Sequence, residues 1–336
     1  MALLPFENVS GHPRSPAILM PLVASALQER GFDVVEPDAL EPFLFRQRIR
    51  ATGKLSREQL QGLGTEFGAP LALVGSIDLF ADTPGNPQWG VSGRLLDTGT
   101  GEIVWADAAG FTGDDFTGLL GLGTITSPDA LAAKAVGQLF QDLPAAAMPA
   151  QGEAAARAAR PRARRRPPGA FRDPRLATEP PKRVAVLPFE NGTERRGAAL
   201  IVDDLMAVAL FQAGRFALAD PGEVRHALQT LGLAPYGAIE LEAALKIGEA
   251  AGVDAVILGR VEEYNEGLRP GTSTSPSIAL DARMLDAKTG KILWMGHHGG
   301  RGEDSQIVLE FGKIKSMVPL AMKVIAELVA TMQEIP

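Results

Sequence analysis

The sequence predicts a mixed α/β protein made of two tandem units, each running β-α-β-α-α-β-β-β-α around a mixed sheet packed with helices. Three observations carry this. Four sequence blocks recur in the same order in both halves. Each half opens on a short buried strand followed by helical periodicity, and its alternating strands come before a closing amphipathic helix. A stretch of quite different composition separates the halves.

The recurring blocks come first, because a repeat decides the architecture. Ala2-Leu3-Leu4-Pro5-Phe6-Glu7-Asn8 matches Ala185-Val186-Leu187-Pro188-Phe189-Glu190-Asn191 at an offset of 183. Gly68-Ala69-Pro70-Leu71-Ala72-Leu73-Val74-Gly75 matches Gly252 to Gly259 at 184. Leu96-Asp97-Thr98-Gly99-Thr100-Gly101-Glu102-Ile103-Val104-Trp105 matches Leu285 to Trp294 at 189. At the same offset Leu131, Lys134 and Leu139 match Leu320, Lys323 and Leu328 of a closing helix. The offset grows in small steps, as loop insertions require, and four blocks in register identify a tandem duplication.

Each unit opens on a short buried strand, apolar from Val184 to Leu187 and stopped by Pro188. A helix follows: Ile201, Leu205, Val208 and Ala209 fall on one face, and Gly214 ends it. In the first copy that face reads Ile18, Leu22 and Ala26, with Pro21 expected to kink or shorten the helix. A short strand around Phe216–Leu218, or Phe32–Val35, leads to Pro221 or Pro37 in the first turn of a second helix. Copy one has a longer helical-looking segment over Glu41–Thr52. A third helix spans about Ile239–Ala251, and its counterpart starts at Ser56, where Ser56-Arg57-Glu58-Gln59 has capping-box spacing. Ala255–Leu258 is a continuous apolar run suited to a central strand, broken by Gly259. Ile278, Leu280, Ala282 and Met284 alternate, as do Trp89, Val91, Gly93 and Leu95. The segments Asp97–Gly101 and Asp286–Gly290 are hairpin turns, with Asp accepting turn amides and Gly supplying φ > 0.

Composition sets the limits. The 336 residues hold 46% apolar side chains and no cysteine, which excludes disulfides and thiolate chemistry. With only 4 His and 2 Tyr, acid–base and metal chemistry has few candidates. No uncharged apolar run reaches the roughly 18–20 residues of a membrane helix. The net charge of −7 is uneven: −8 over residues 1–143, +7 over 144–183 and −6 over 184–336. The middle segment, rich in Ala, Pro and Arg and poor in large apolar residues, is expected to be a disordered basic linker. The domain expectation is therefore 1–143, linker 144–183, and 184–336.

Together these blocks resemble one superfamily. A strand ending Leu-Pro-Phe-Glu-Asn, a helix, a buried strand ending in Gly, and a Leu-Asp-x-x-x-Gly-x-Ile-x-Trp hairpin are similar to the curli-secretion channel (CsgG-type) domain. They also resemble the penicillin-binding-protein activator lipoproteins (LpoB-type) and the amino-terminal domain of TolB. The resemblance covers both globular segments and implies a periplasmic or outer-membrane-associated protein acting by contact with envelope proteins, with homo-oligomers allowed. The channel members insert transmembrane hairpins, whose strands need roughly 9–11 residues each. Here the loops Ala81–Gln88 and Asn265–Ser277 are too short and too rich in Pro, Gly and Ser, so no pore is expected. Met1 stands flush with the first strand. This chain carries no export signal, and one, or a lipid anchor, would precede Met1 in a longer precursor.

Candidate interaction residues are few. Arg160, Arg162, Arg164, Arg165 and Arg166 would contact an anionic surface by electrostatics, against the plainer reading of a solvated tether; without stacking aromatics, nucleic acid is a poor fit. Glu7, Asn8, Glu190 and Asn191 lie just past a strand end, where sites often form, although turn chemistry and capping explain Asn equally well. His297 and His298 are strand neighbours pointing to opposite faces, so no shared metal is expected. The acid pairs Glu262-Glu263 and Asp203-Asp204 read as solvated surface. Gly118 to Gly123 lacks dinucleotide-fingerprint spacing. The function expected is a non-catalytic interaction or assembly module with no cofactor. The alternative is a module binding a small molecule, nucleotide or glycan.

Overall fold

The computed structural model describes residues 1–117, 123–145, 169–267, 275–306 and 312–332. The chain divides into two compact units, Met1–Ala154 and Ala155–Pro336. Unit 1 runs β1 (Ala2–Leu3), β2 (Glu7–Asn8), α1 (Ser15–Gln28), α2 (Pro37–Arg46), α3 (Arg57–Phe67), β3 (Leu71–Ala81), β4 (Gln88–Asp97), β5 (Ile103–Thr112) and α4 (Pro128–Leu139). Unit 2 runs β6 (Gly169–Arg172), α5 (Arg175–Thr178), β7 (Arg183–Val186), β8 (Glu190–Asn191), α6 (Ala198–Ala213), β9 (Ala217–Leu218), α7 (Pro221–Thr230) and α8 (Leu241–Ala250). It ends with β10 (Ala255–Asn265), β11 (Ser277–Asp286), β12 (Ile292–Arg301) and α9 (Met317–Ala330). Both sheets are mixed, as the sequence predicts. In unit 1 the order is β1-β3-β4-β5, with β2 also on β3; in unit 2 it is β6-β12-β11-β10-β7-β9, with β8 on β10.

The repeated sequence blocks have structural reasons. The Phe6 ring lies over Gly75, where a Cβ would sit 2.5 Å from the ring carbons; at Gly259 a Cβ would meet Phe189 at 2.6 Å and the Asp281 carbonyl at 2.1 Å. Phe and Gly are thus one packing unit, made twice. Asp97 Oδ1 accepts the Gly99 and Thr100 amides at 2.9 and 2.8 Å, and Asp286 Oδ1 those of Lys288 and Thr289 at 3.1 and 2.7 Å. Gly101 and Gly290 close these turns at φ 77 and 69. Burial raises the Asp286 carboxyl, but the hydrogen bonds from Thr289 and Lys288 outweigh it and hold the pKa below the ordinary value. The capping box forms as expected, with Gln59 N–H to Ser56 Oγ at 3.3 Å and Ser56 N–H to Gln59 Oε1 at 2.9 Å.

Each sheet has a front and a back. In unit 1, α1 and α4 cover the front over Leu73, Ile77, Val91, Leu95 and Trp105. Helices α2 and α3 cover only part of the back, over Ala72, Val74 and Leu96. In unit 2, α6 and α9 take the front, where Gly300 leaves room for Val324 and Gly296 for Leu328. Helices α7 and α8 cover part of the back, over Ala185, Val256, Leu258 and Leu285.

Several expectations are corrected. Helix α1 continues through Pro21, which sits on its exposed side where water reaches the carbonyl left without an amide. Its buried stripe is Leu19, Val23 and Leu27, with Ile18, Leu22 and Ala26 on the shoulders. The strand expected at Phe32–Val35 shrinks to one bridge, Ala2 to Val35. Helix α2 stops at Arg46, well short of Thr52. Asp203 and Asp204, read as solvated, are buried in α6, a helix buried on every side from Ile201 to Leu210. Asp203 Oδ1 accepts the Phe189 amide at 2.9 Å, which gives a buried carboxylate its stabilising partner.

The segment 144–183, expected to be a disordered linker, carries regular structure at its end. Gly169–Arg172 forms β6, antiparallel to β12 with Phe171 opposite Met295, and Leu176 of α5 is buried. Backbone pairing, which composition does not register, holds this strand. Asp173 accepts both Arg175 side-chain nitrogens at 2.9 and 2.8 Å, and these bonds bring its pKa down to about 2. Residues 146–168, with the five candidate arginines Arg160, Arg162, Arg164, Arg165 and Arg166, lie outside the described residues, as do 118–122.

Candidate interaction surface

The informative region is the half of each back face that the helices leave uncovered. Its framework is the same in both units. The residue pair Glu7–Ser76 joins β2 to β3, and Ser76 pairs Ser92 on β4, two residues from Arg94. In unit 2, Glu190 pairs Arg260, Arg260 pairs Asp281, and Arg283 lies two residues on. Arg94 and Arg283 stand opposite Val74 and Leu258, which both face the back-side helices. Both β3 and β10 shift register at a bulge, between Ile77 and Leu79 and between Val261 and Glu263. The acids Asp78 and Glu262 sit at those bulges.

In unit 1 this half-face is buried. Ser76, Asp78, Ser92 and Arg94 all lie inside, Arg94 with only 3% of its surface exposed. The connection 47–56 between α2 and α3 is tied to it at three points. Glu7 Oε1 accepts the Gly53 amide at 3.3 Å, Arg94 Nη2 donates to the Gly53 carbonyl at 2.8 Å, and Thr52 Oγ1 donates to the Pro5 carbonyl at 2.6 Å. A Cβ on residue 53 would lie 3.1 Å from the Glu7 carboxyl carbon, so glycine allows the close approach.

In unit 2 the half-face is open. Arg260 pairs with Glu190 at 3.4 Å, and His297 with Glu262 at 3.6 Å, all four side chains well exposed. Glu263 accepts the Ser277 hydroxyl at 2.5 Å. Phe171 and Met295, register partners on β6 and β12, are 51% and 47% exposed. Burial and the neighbouring Glu262 carboxylate push the Asp281 carboxyl above its ordinary range, with Arg283, His297 and Arg260 pulling the other way.

Of the residues singled out in sequence, Glu7 and Glu190 belong to this surface. Asn8 and Asn191 organise the turns that follow. Asn8 Oδ1 accepts from Ser10 Oγ and the Gly11 amide at 2.6 and 3.1 Å. Asn191 accepts the Thr193 amide at 3.0 Å and donates to the Arg195 carbonyl at 2.9 Å. The two histidines do point to opposite sides: His298 is buried and meets Glu327 of α9 at 2.7 Å, whereas His297 is on the open back. Sequence reasoning missed Arg94 and Arg283, although both stand two residues before the shared Leu-Asp of the hairpin block. Among the described residues, no group of three or more His, Cys, Asp or Glu is placed to hold a metal, and no helix is long and apolar enough to cross a membrane.

The family model described as putative lipoprotein GNA1162-like matches residues 174–334. The second unit resembles the GNA1162-like lipoproteins. This GNA1162-like match starts at Pro174, ahead of β7, so it includes α5 and the whole open half-face except β6. Similar solved structures include a PelC dodecamer from Paraburkholderia phytofirmans (18% identity, 50% of this chain and 98% of that chain covered, TM-score 0.36). Others are lipoprotein GNA1162 from Neisseria meningitidis (23% identity, 36% and 83% covered, TM-score 0.31) and the LpoB C-terminal domain from Escherichia coli (22% identity, 35% and 82% covered, TM-score 0.26). A comparison with curated protein sequences gives no match.

Proposed function

We propose that this chain is a non-catalytic interaction module of the bacterial cell envelope, scaffolding or regulating a periplasmic or outer-membrane-associated complex without forming a pore itself. One observation carries the reading: in the unit that matches a lipoprotein family, a sheet face mixing charge with exposed Phe171 and Met295 is left open. Such a mixture of exposed apolar and charged side chains suits protein contact. Two units on one chain raise the effective concentration of the second contact once the first has formed.

The test is chemical crosslinking of the full chain in a Gram-negative envelope extract, comparing wild type with the double variant Phe171→Asp, Met295→Asp. The expected outcome is a specific set of crosslinked envelope proteins that the variant loses at least tenfold. Equal recovery by both chains removes the open face from the function, and an empty wild-type lane removes the envelope role.

A further inference from the structure

Unit 1 contains a worked example of what its half-face binds. The ligand there is the chain's own segment 47–56, which turns over Ala51–Lys54, the Lys54 amide donating to the Ala51 carbonyl at 3.2 Å, and is gripped by its backbone: the N–H of Gly53 donates to Glu7 and the C=O of the same residue accepts from Arg94. An acceptor and a charged donor that hold the two ends of one residue read a peptide backbone rather than a side chain.

Unit 2 keeps the gripping residues in the same register. Glu190 stands where Glu7 does, Arg283 where Arg94 does, and Pro188 where Pro5 does. It also keeps a connection of equal length, residues 231–240 against 47–56, with Gly237 at the step of Gly53. Yet that connection stands away from the sheet. Tyr236 is 77% exposed and Gly237 holds a left-handed φ of 97, while Leu233 and Ile239 pack on the core beneath α7 and α8 as Ile49 and Leu55 do in unit 1. Where Thr52 offers a short hydroxyl to the Pro5 carbonyl, unit 2 has the bulky Tyr236. Both the side-chain change and the positive φ keep the connection off the grip.

We infer that the open half-face of unit 2 is a docking site for a basic, glycine-containing turn of a partner protein, one residue of which gives its N–H to Glu190 and its C=O to Arg283. The acidic side chains Glu190, Glu262, Glu263 and Asp281 outnumber Arg260 and Arg283, so a basic residue beside the glycine is favoured, as Lys54 follows Gly53 in unit 1. Glu190 keeps one carboxylate oxygen for Arg260 and gives the other to the segment. Phe171 and Met295 border the site and accept an apolar side chain. This inference rests on the interaction-module reading and names the site and class of its partner.

The probe is a labelled peptide with the sequence of residues 50–56, Arg-Ala-Thr-Gly-Lys-Leu-Ser, titrated into the full chain and followed by fluorescence anisotropy. Saturable binding is expected, weakened about tenfold or more by Glu190→Gln or by Arg283→Met and unchanged by Lys246→Ala on α8. Replacing the peptide's glycine with leucine is expected to weaken it by a similar factor. Both gripping residues are exposed, so thermal unfolding of the variants should match wild type and vouch for the fold. No saturable binding up to millimolar peptide, or equal binding by the Arg283→Met chain, overturns the site. Peptide binding that survives alongside an empty envelope crosslink would instead sink the envelope role and leave the site standing.

Discussion

The two back half-faces share strand register, bulge position and the length of the connection that could cross them, and they differ in whether it does. In unit 1 the connection is docked over small, buried residues such as Ser76 and Ser92. In unit 2 those places hold Arg260 and Asp281, and the face is open. Of two units with the same strand register, one is thus closed on itself and the other left available. The backbone that grips a peptide is the same in both; a handful of side chains decide whether the chain supplies that peptide itself. Buried copies of a contact stabilise, and exposed copies remain free to bind.

The largest expected effect breaks this comparison at its shared arginine. Arg94→Met removes a charge-assisted hydrogen bond to a buried carbonyl inside unit 1 and should cost roughly 2–3 kcal/mol of stability. Arg283→Met, in the same register on an exposed surface, should change stability by less than about 0.5 kcal/mol. Urea unfolding of the two variants measures both. Equal losses would mean that the open and closed faces are energetically alike and would dissolve the distinction.

A smaller effect concerns the helix that follows each connection. Ser56 caps α3 with a complete box, which helps fix where residues 47–56 re-enter the helix. Glu240 precedes α8 without a side-chain cap. Ser56→Ala should cost about 1 kcal/mol, and Glu240→Ala close to nothing. A loss at Glu240 as large as at Ser56 would show that the open connection is held as firmly as the docked one.

Much of this was legible before any coordinates. The Asp–Gly hairpins and the Ser56 box are local signals, and each formed where the sequence placed it; the Phe6–Gly75 and Phe189–Gly259 contacts lie in the repeated blocks but were not read from them. The site was half legible: Glu7 and Glu190 stood out through the repeat, whereas Arg94 and Arg283 were passed over inside apolar strands, despite lying at the hairpin block's own offset. Most of what was lost depends on tertiary cover. The apolar residues on every side of Asp203 and Asp204 do signal a helix buried all round, and the acid pair was misread because such a pair on a helix ordinarily faces water. Strand β6 was lost because a ladder on β12, far along the chain, stabilises a segment too poor in apolar residues to be noticed. The fate of residues 47–56 and 231–240 was equally invisible, since it turns on a Thr against a Tyr and on the groups each meets.

The smallest effect sharpens the electrostatic side of the comparison. Asp281 occupies the place of buried Ser92, and burial with Glu262 alongside raises its carboxyl pKa above the ordinary 3.8. A raised native pKa means that the folded state prefers the protonated acid. Its contribution is fully present below the ordinary value and is lost as pH rises through the native one. Asp281→Asn should therefore leave stability unchanged at the acid end and raise it by a few tenths of a kcal/mol at neutral pH, the partly exposed site keeping the effect small. Unfolding midpoints of both chains across that range provide the measurement. A variant less stable than wild type at neutral pH instead would mean that Arg283, Arg260 and His297 outweigh burial, and that the open face is already neutralised before any partner arrives.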